Sequence, residues 1–249
     1  MKINIDQIKR YSRQVVLKNI GPIGQKKLLN SSVLVVGAGG LGSPILIYLS
    51  GAGIGNIGIV DHDKVDISNL QRQILFESKD IKKYKAKTAF LRIKKINPDI
   101  KVKYFQKKLS IKNIKKIAKN FEIIVDGSDN FKTKFLINDY CVKNKKILVS
   151  AAINKYDGQV FTFNFKKKSP CLRCFFQTTP SNKILNCETD GIIGPIAGIT
   201  GSIQANEVLK EVLKIEKSLC GNVLIINSLD LNFRKIKLNK RKSCICNKI

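Results

Sequence analysis

Histidine is almost absent from this chain, with one residue, His62, in 249. Mechanisms that need two histidines are excluded, and a Ser-His-Asp or Cys-His apparatus is disfavoured. No apolar run approaches the roughly 18–20 residues of a membrane span, and the opening MKINIDQIKRYSRQ has no apolar signal core. No internal repeat or low-complexity linker interrupts the sequence. These absences describe a soluble, cytoplasmic protein with no membrane partner.

Acidic residues are scarce as well: 18 Asp and Glu face 46 Lys and Arg, for a net charge of +28. Such an excess attracts RNA, acidic membranes or an acidic protein. The lysines, however, are spread from Lys2 to Lys248 with only short clusters such as Lys166-Lys167-Lys168. Neither interleaved aromatics nor a basic stripe accompanies them, as nucleic-acid sites usually require. With Ile and Asn also abundant, the charge reads as a codon bias, and nucleic acid is not an expected partner.

At this length roughly 70–75% of the unfolded surface can be buried, enough for one sizeable domain. Strand-like runs recur at Val33–Gly37, Ile57–Asp61, Lys101–Phe105, Ile123–Asp126 and Ile147–Ala151. Helix-like stretches separate them at Pro44–Leu49, Lys85–Ile96, Asn113–Lys119 and Lys134–Lys143, and the segment up to Asn30 also reads as helical. This alternation predicts an α/β fold, a Rossmann-like, doubly wound, mainly parallel sheet. After Ala152 the pattern changes. Gly158–Phe165, Val223–Ile226 and Phe233–Leu238 read as antiparallel strands that extend the sheet, and Ile203–Leu213 reads as a helix. We expect one domain over 1–249, with a nucleotide-binding half, 1–150, and a partner-facing half, 151–249.

The stretch Val33–Arg72 is the richest in chemistry. Gly37, Gly39 and Gly42 follow a strand and precede a helix, which permits a tight turn, close approach to phosphate and close helix packing. The helix N-terminus adds a dipole favourable to anions. Asp61 ends the second strand, where a carboxylate accepts from ribose hydroxyls. To this point NAD and ATP are served equally. The cations Arg72, Lys85 and Arg13 favour a triphosphate, because charge grows on α-phosphate oxygens during nucleotidyl transfer. Lys85 is one of five lysines between 79 and 87, so spacing alone does not select it. Asp129 lies just beyond a strand end, where a carboxylate can hold Mg²⁺ on phosphates.

Seven cysteines, in close pairs and without a secretion signal, point to metal or thiol chemistry. Cys171-Leu172-Arg173-Cys174 is a CxxC knuckle, and Cys244-Ile245-Cys246 is a second pair one residue shorter. Four such thiolates make a closed tetrahedral zinc site. Cys141 and Cys220 read as ordinary apolar residues.

Arg10-Tyr11-Ser12-Arg13-Gln14, Gly37–Gly42, Ser68-Asn69-Leu70-Gln71-Arg72-Gln73, Asp129-Asn130 and the Cys171/Cys174 pair together resemble the ThiF/MoeB/HesA family, bacterial relatives of ubiquitin-activating enzymes. The resemblance implies ATP-dependent adenylation of the C-terminal glycine carboxylate of a ubiquitin-like sulfur-carrier protein ending in Gly-Gly, for thiamin thiazole or molybdopterin synthesis. It implies that Asp61 holds the ribose, while Gly40, Ser68, Asn69, Leu70 and Gln71 line the nucleotide site. Asn69, Arg72 and Lys85 would contact phosphates, and Asp129, beside Asn130, would coordinate Mg²⁺. Arg13 would reach the ATP of the other subunit of a homodimer. Structural zinc on Cys171, Cys174, Cys244 and Cys246 is common in the family, whose second pair is normally also CxxC. In the thiamin branch a cysteine at the position of Cys187 takes part in sulfur transfer, with a sulfurtransferase as a further partner. Gly191-Ile192-Ile193-Gly194-Pro195 and Gln73-Ile74-Leu75-Phe76 are slightly closer to that branch.

Three rival readings remain. A family relative acting on a tRNA-base carboxylate would suit the charge but not the cysteine pairs. An NAD-dependent dehydrogenase explains Gly37–Asp61 but leaves Arg72, Lys85 and Asp129 without a role. A non-catalytic adaptor would have no use for them either.

Overall fold

The computed structural model describes residues 4–176 and 191–247. The chain opens with α1 (Ile5–Val15) and α2 (Gly21–Asn30), so the expected N-terminal helical segment is divided in two. A capping box between Asn4 and Gln7 starts α1, and a proline in the first turn starts α2.

A run of alternating elements follows: β1 (Ser32–Val36), α3 (Gly42–Ala52), β2 (Asn56–Val60), α4 (Lys85–Ile96), β3 (Lys101–Phe105), α5 (Ile114–Ala118), β4 (Ile123–Asp126), α6 (Phe131–Lys143) and β5 (Ile147–Asn154). Then come β6 (Asp157–Asn164), the short α7 (Leu172–Phe175), the long α8 (Gly194–Leu213), β7 (Asn222–Asn227) and β8 (Asn232–Lys237). All strands join one eight-stranded sheet in the order β3-β2-β1-β4-β5-β6-β7-β8. From β3 to β5 the pairings are parallel, and from β5 to β8 they are antiparallel. The expected doubly wound sheet with an antiparallel extension is the one observed.

Two apolar layers cover the faces. One joins α3, α4 and α8 to the sheet through residues such as Ile45, Leu49, Ile93 and Val208. The other joins α5 and α6 through Ile117, Phe131, Phe135 and Cys141. Burial on both faces explains why Val33, Leu34, Val35 and Val36 form a continuous apolar run.

Two elements differ from their sequence signal in an instructive way. Helix α8 begins at Gly194, nine residues before the expected start, because Pro195 in its first turn favours initiation despite Gly198 and Gly201. Gly201 is needed there: a Cβ would press on Pro44 of α3 and on the carbonyl of Leu41 just before it. In β6 the apolar–polar alternation does not mark a wet face. The Thr162 hydroxyl donates to buried Glu207 on α8 at 3.0 Å, so both faces are covered.

β1 has β2 on one side and β4 on the other, and the chain passes from β3 back across to β4. A crevice therefore opens at the carboxyl ends of β1, β2 and β4, the switch point where open α/β sheets bind ligands.

Candidate nucleotide-binding site and thiolate centre

A cleft of about 370 Å³ occupies that switch point. Its floor is Val36, Gly37, Gly39 and Gly40 from the β1–α3 turn, and its walls include Val60 and Asp61 after β2 and Gly127–Asn130 after β4. Arg72 and Lys85 complete it, with Ile192 at the rim. Of the residues expected to hold nucleotide, Gly37, Gly39, Gly40, Asp61, Arg72, Lys85, Asp129 and Asn130 thus meet in one cavity.

The turn is built for backbone approach. Gly37 has φ +91°, and a Cβ there would lie 2.7 Å from the Gly127 carbonyl oxygen. Gly42 stands behind the cleft; a Cβ on it would collide with the Gly37 carbonyl oxygen. Gly39 faces open space apart from the Gln73 side-chain nitrogen, 3.6 Å from where its Cβ would be. The turn opens directly into α3, where the Ser43 and Ile45 amides donate to the Gly39 and Leu41 carbonyls and Pro44 has no N–H, so an anion is met by the glycine turn at the head of the helix.

Asp61 is held from two sides: Oδ2 accepts the Ala38 N–H at 2.7 Å and Oδ1 accepts the Asp63 N–H at 2.8 Å. Burial pushes its carboxyl above the ordinary range, opposed by those two amides and by Lys85. Lys85 is the first residue of α4 and is itself buried; its Nζ lies 3.7 Å from Asp63 Oδ2. The five-lysine cluster could not single it out, and burial does. The Arg72 guanidinium donates to the Ser68 carbonyl at 3.0 Å, which aims its side chain from the motif turn into the cleft.

The rest of the motif supports this arrangement from outside. Asp66 caps a 3₁₀ turn, Ile67–Asn69, and accepts from the Ser68 amide and hydroxyl. Gln71 donates to the Ile192 carbonyl at 3.4 Å. Ser68, Asn69, Leu70 and Gln71 are not among the cleft-lining residues, whereas Gln73, buried after Arg72, is. Arg13 is exposed on α1 and outside the cleft of its own chain. Tyr11 and Gln14 anchor α1 at the far end of α3, near Gly53 and Ala52. Cys187 lies outside the described residues.

The cleft also takes in His62, Asp63 and Gln73 from the polar stretch after β2, and sequence reasoning missed Lys107, Lys108 and Lys134. A signal for Lys134 existed. It occupies the apolar stripe of α6 with Phe131, Asn138 and Cys141, where a lysine needs a buried anion. That anion is Asp126, 3.1 Å away.

A second cluster lies in the C-terminal half. The Sγ atoms of Cys171, Cys174, Cys244 and Cys246 all fall within 4.8 Å of one another, with Cys171–Cys244 at 3.4 Å and Cys174–Cys246 at 3.5 Å. The shorter CxC pair reaches the knuckle because Cys246 sits in a one-turn 3₁₀ helix, Ile245–Asn247. The Arg241 N–H points at Cys174 Sγ (3.5 Å). Burial pushes the Cys246 thiol up to about 12, and the neighbouring Cys174 adds to the shift. Four sulfurs gathered this closely are a donor set suited to a dication such as zinc, which binds cysteines as thiolates. Cys141 is fully buried in α6 and Cys220 partly buried before β7, outside this cluster.

Among the described residues, no helix is long and apolar enough to cross a membrane. Comparison with known proteins places these features in context. The chain is 39% identical over 249 residues to the sulfur carrier protein adenylyltransferase of Thermus thermophilus, covering 98% of this chain and 92% of that protein. It is 39% identical over 242 residues to the adenylyltransferase and sulfurtransferase MOCS3 of Anopheles gambiae, covering 97% of this chain but 55% of the longer relative. Among solved structures, E. coli MccB with ATP superimposes with a TM-score of 0.85 at 24% identity, over 96% of this chain and 75% of that one, a likeness of fold. The ThiF family model matches residues 11–248, a span that takes in both the switch-point cleft and the thiolate cluster, and the chain belongs to the ThiF family.

Proposed function

We propose that the protein is an ATP-dependent adenylyltransferase that activates the C-terminal glycine carboxylate of a ubiquitin-like sulfur carrier. The observation that carries this reading is the meeting, in one cleft, of the glycine turn with Arg72, Lys85 and Asp129. Its family membership and the near full-length likeness to a sulfur carrier protein adenylyltransferase support it. A hydride-transfer enzyme would leave those charged groups without a task.

The chemistry asks little of acid–base catalysis. A carrier carboxylate is already ionised at neutral pH, so its oxygen attacks the α-phosphorus of ATP without a general base. The bond from the α-phosphorus to the bridging oxygen breaks, and pyrophosphate departs with the electron pair. What must be overcome is the approach of two anions and the charge that builds on phosphate. In this reading the glycine turn at the head of α3 receives phosphate oxygens, Arg72 and Lys85 neutralise developing charge, and Asp61 accepts from the ribose. Asn69 contacts phosphate from the adjoining turn, where Ser68, Leu70 and Gln71 border the nucleotide. Asp129 would hold Mg²⁺, which supplies further neutralisation on the phosphates when bound. Arg13, remote from its own cleft, would act on the nucleotide of a second protomer.

Cys171, Cys174, Cys244 and Cys246 would hold a structural zinc, and a reducing cytoplasm is the setting in which such thiolates persist. In the same reading residues 1–150 form the nucleotide-binding half and 151–249 the carrier-facing half. Cys187 is a candidate for the covalent link to the carrier. Thiamin and molybdopterin pathways both use such carriers, and a sulfurtransferase would act downstream.

The test is intact-mass analysis of a Gly-Gly carrier incubated with enzyme, ATP and Mg²⁺. A carrier–AMP adduct that needs the terminal glycine supports the reading. No adduct on any such carrier, with AMP formed only when tRNA is added, would replace it with the tRNA-base alternative.

A further inference from the structure

Asp129 has no firm hold of its own. It is exposed, and the only polar contact made by its carboxylate among the described residues is with the neighbouring Asn130 amide at 3.2 Å. Its direction is therefore set by the loop Gly127–Asn130, and that loop is tied down at both ends. On the α6 side the Asn130 side chain accepts the Thr133 N–H at 2.9 Å. On the β4 side Asp126 Oδ1 accepts both the Ser128 N–H (3.0 Å) and the Ser128 hydroxyl (2.5 Å).

The Asp126 carboxylate is in turn held by a buried cation. Lys134 Nζ donates to Asp126 Oδ2 at 3.1 Å and to the Ala151 carbonyl at 2.5 Å. The Ser150 hydroxyl also donates to Oδ2, at 2.6 Å. Lys134 is 2% exposed and Asp126 0% exposed, so neither charge is screened by bulk water. One ammonium thus joins the first turn of α6, the end of β4 and the middle of β5 around the loop that carries Asp129. Lys134 also lines the cleft. A buried ion pair is weak evidence for stability, since an apolar pair of similar volume is often as good. Its presence beside the phosphate end of the cleft calls for another reason.

We propose that Lys134, acting through Asp126 and Ser128, is a positioning residue that aims the Asp129 carboxylate at the Mg²⁺ of bound nucleotide. The inference rests on the adenylyltransferase reading. Residues behind metal ligands commonly alter metal affinity about 10–100-fold when removed, because they fix the ligand's orientation.

The experiment is calorimetric titration of ATP into the full chain, in Mg²⁺ and in EDTA, for wild type, Lys134→Met, Lys134→Arg, Ser128→Ala, Asp129→Asn and Lys134→Met/Asp129→Asn. Carrier-dependent ATP–pyrophosphate exchange by the wild type is measured first. Its absence overturns the reading of function, whatever the variants do. Lys134→Met is expected to weaken Mg–ATP binding by about tenfold more than it weakens binding in EDTA, and Lys134→Arg to restore the difference. In the Asp129→Asn background Lys134→Met should add nothing, since both act through one carboxylate. Equal weakening with and without Mg²⁺, or an additive double variant, overturns the positioning role. Should Lys134→Met fail to fold, Ser128→Ala decides: loss of the Mg²⁺ increment supports the role, and full retention overturns it.

Discussion

Gly42 stands so close to the Gly37 carbonyl that its missing Cβ is part of the nucleotide turn. Gly42→Ala is expected to cost about 1–3 kcal/mol through overpacking, with ATP affinity falling at the same time; thermal unfolding and nucleotide titration check both. Gly51, in the same helix, has open space where its Cβ would be. Gly51→Ala should therefore stabilise the protein by about 0.5–1 kcal/mol from backbone entropy alone. At this scale the sequence was most legible where a residue type has few uses. Gly37, Asp61 and Asp129 could be expected at the cleft because glycine turns and acids at or just beyond strand ends have a narrow meaning, and Arg72 because of the motif that carries it. Lys134 was hidden because one lysine among dozens carries no mark. Only its place on the buried stripe of α6, opposite Asp126, distinguishes it.

Among the elements, the turn Ser78–Asp80 fixes the entry to α4, on which Lys85 is the first residue. Arg92 reaches back from α4 to Glu77 at 2.5 Å and to Asp80 at 3.3 Å. Hydrogen bonds from Lys79 and Arg92 lower the Glu77 carboxyl from 4.5 to about 2. A depressed carboxylate contributes stability that is present above its unfolded value and fades as pH falls toward the folded one. Glu77→Gln should therefore flatten the loss of stability between pH 4.5 and about 2, read from urea midpoints across that window. The C-terminal cysteine pair is a second case. Its one-residue shortfall raised a question about geometry, and the 3₁₀ turn Ile245–Asn247 resolves it by carrying Cys246 to 3.5 Å from Cys174. One zinc per chain is expected by metal analysis. Cys246→Ser should lose the metal and lower Tm by about 2–4 °C for each kcal/mol of lost linkage.

For the whole molecule, alternating strands and helices specified the parallel half, including α4 at Lys85–Ile96 with its observed bounds. The second half was harder to read, because α8 hides its start behind glycines and β6 hides its buried face behind threonine. In both cases a neighbouring element, α3 or α8, supplies what the local pattern lacks. Arg13 raises a question beyond one chain, since α1 is anchored at the far end of α3 from the cleft. If it acts across a homodimer, mixing Arg13→Ala with Arg72→Ala chains should recover activity that neither variant has alone. The most direct measurement of the central claim is ATP–pyrophosphate exchange in the presence of a Gly-Gly carrier. Exchange that needs the carrier and disappears in Asp129→Ala is the expected result. Exchange untouched by that substitution, or none with any carrier while NAD binds tightly, would contradict it.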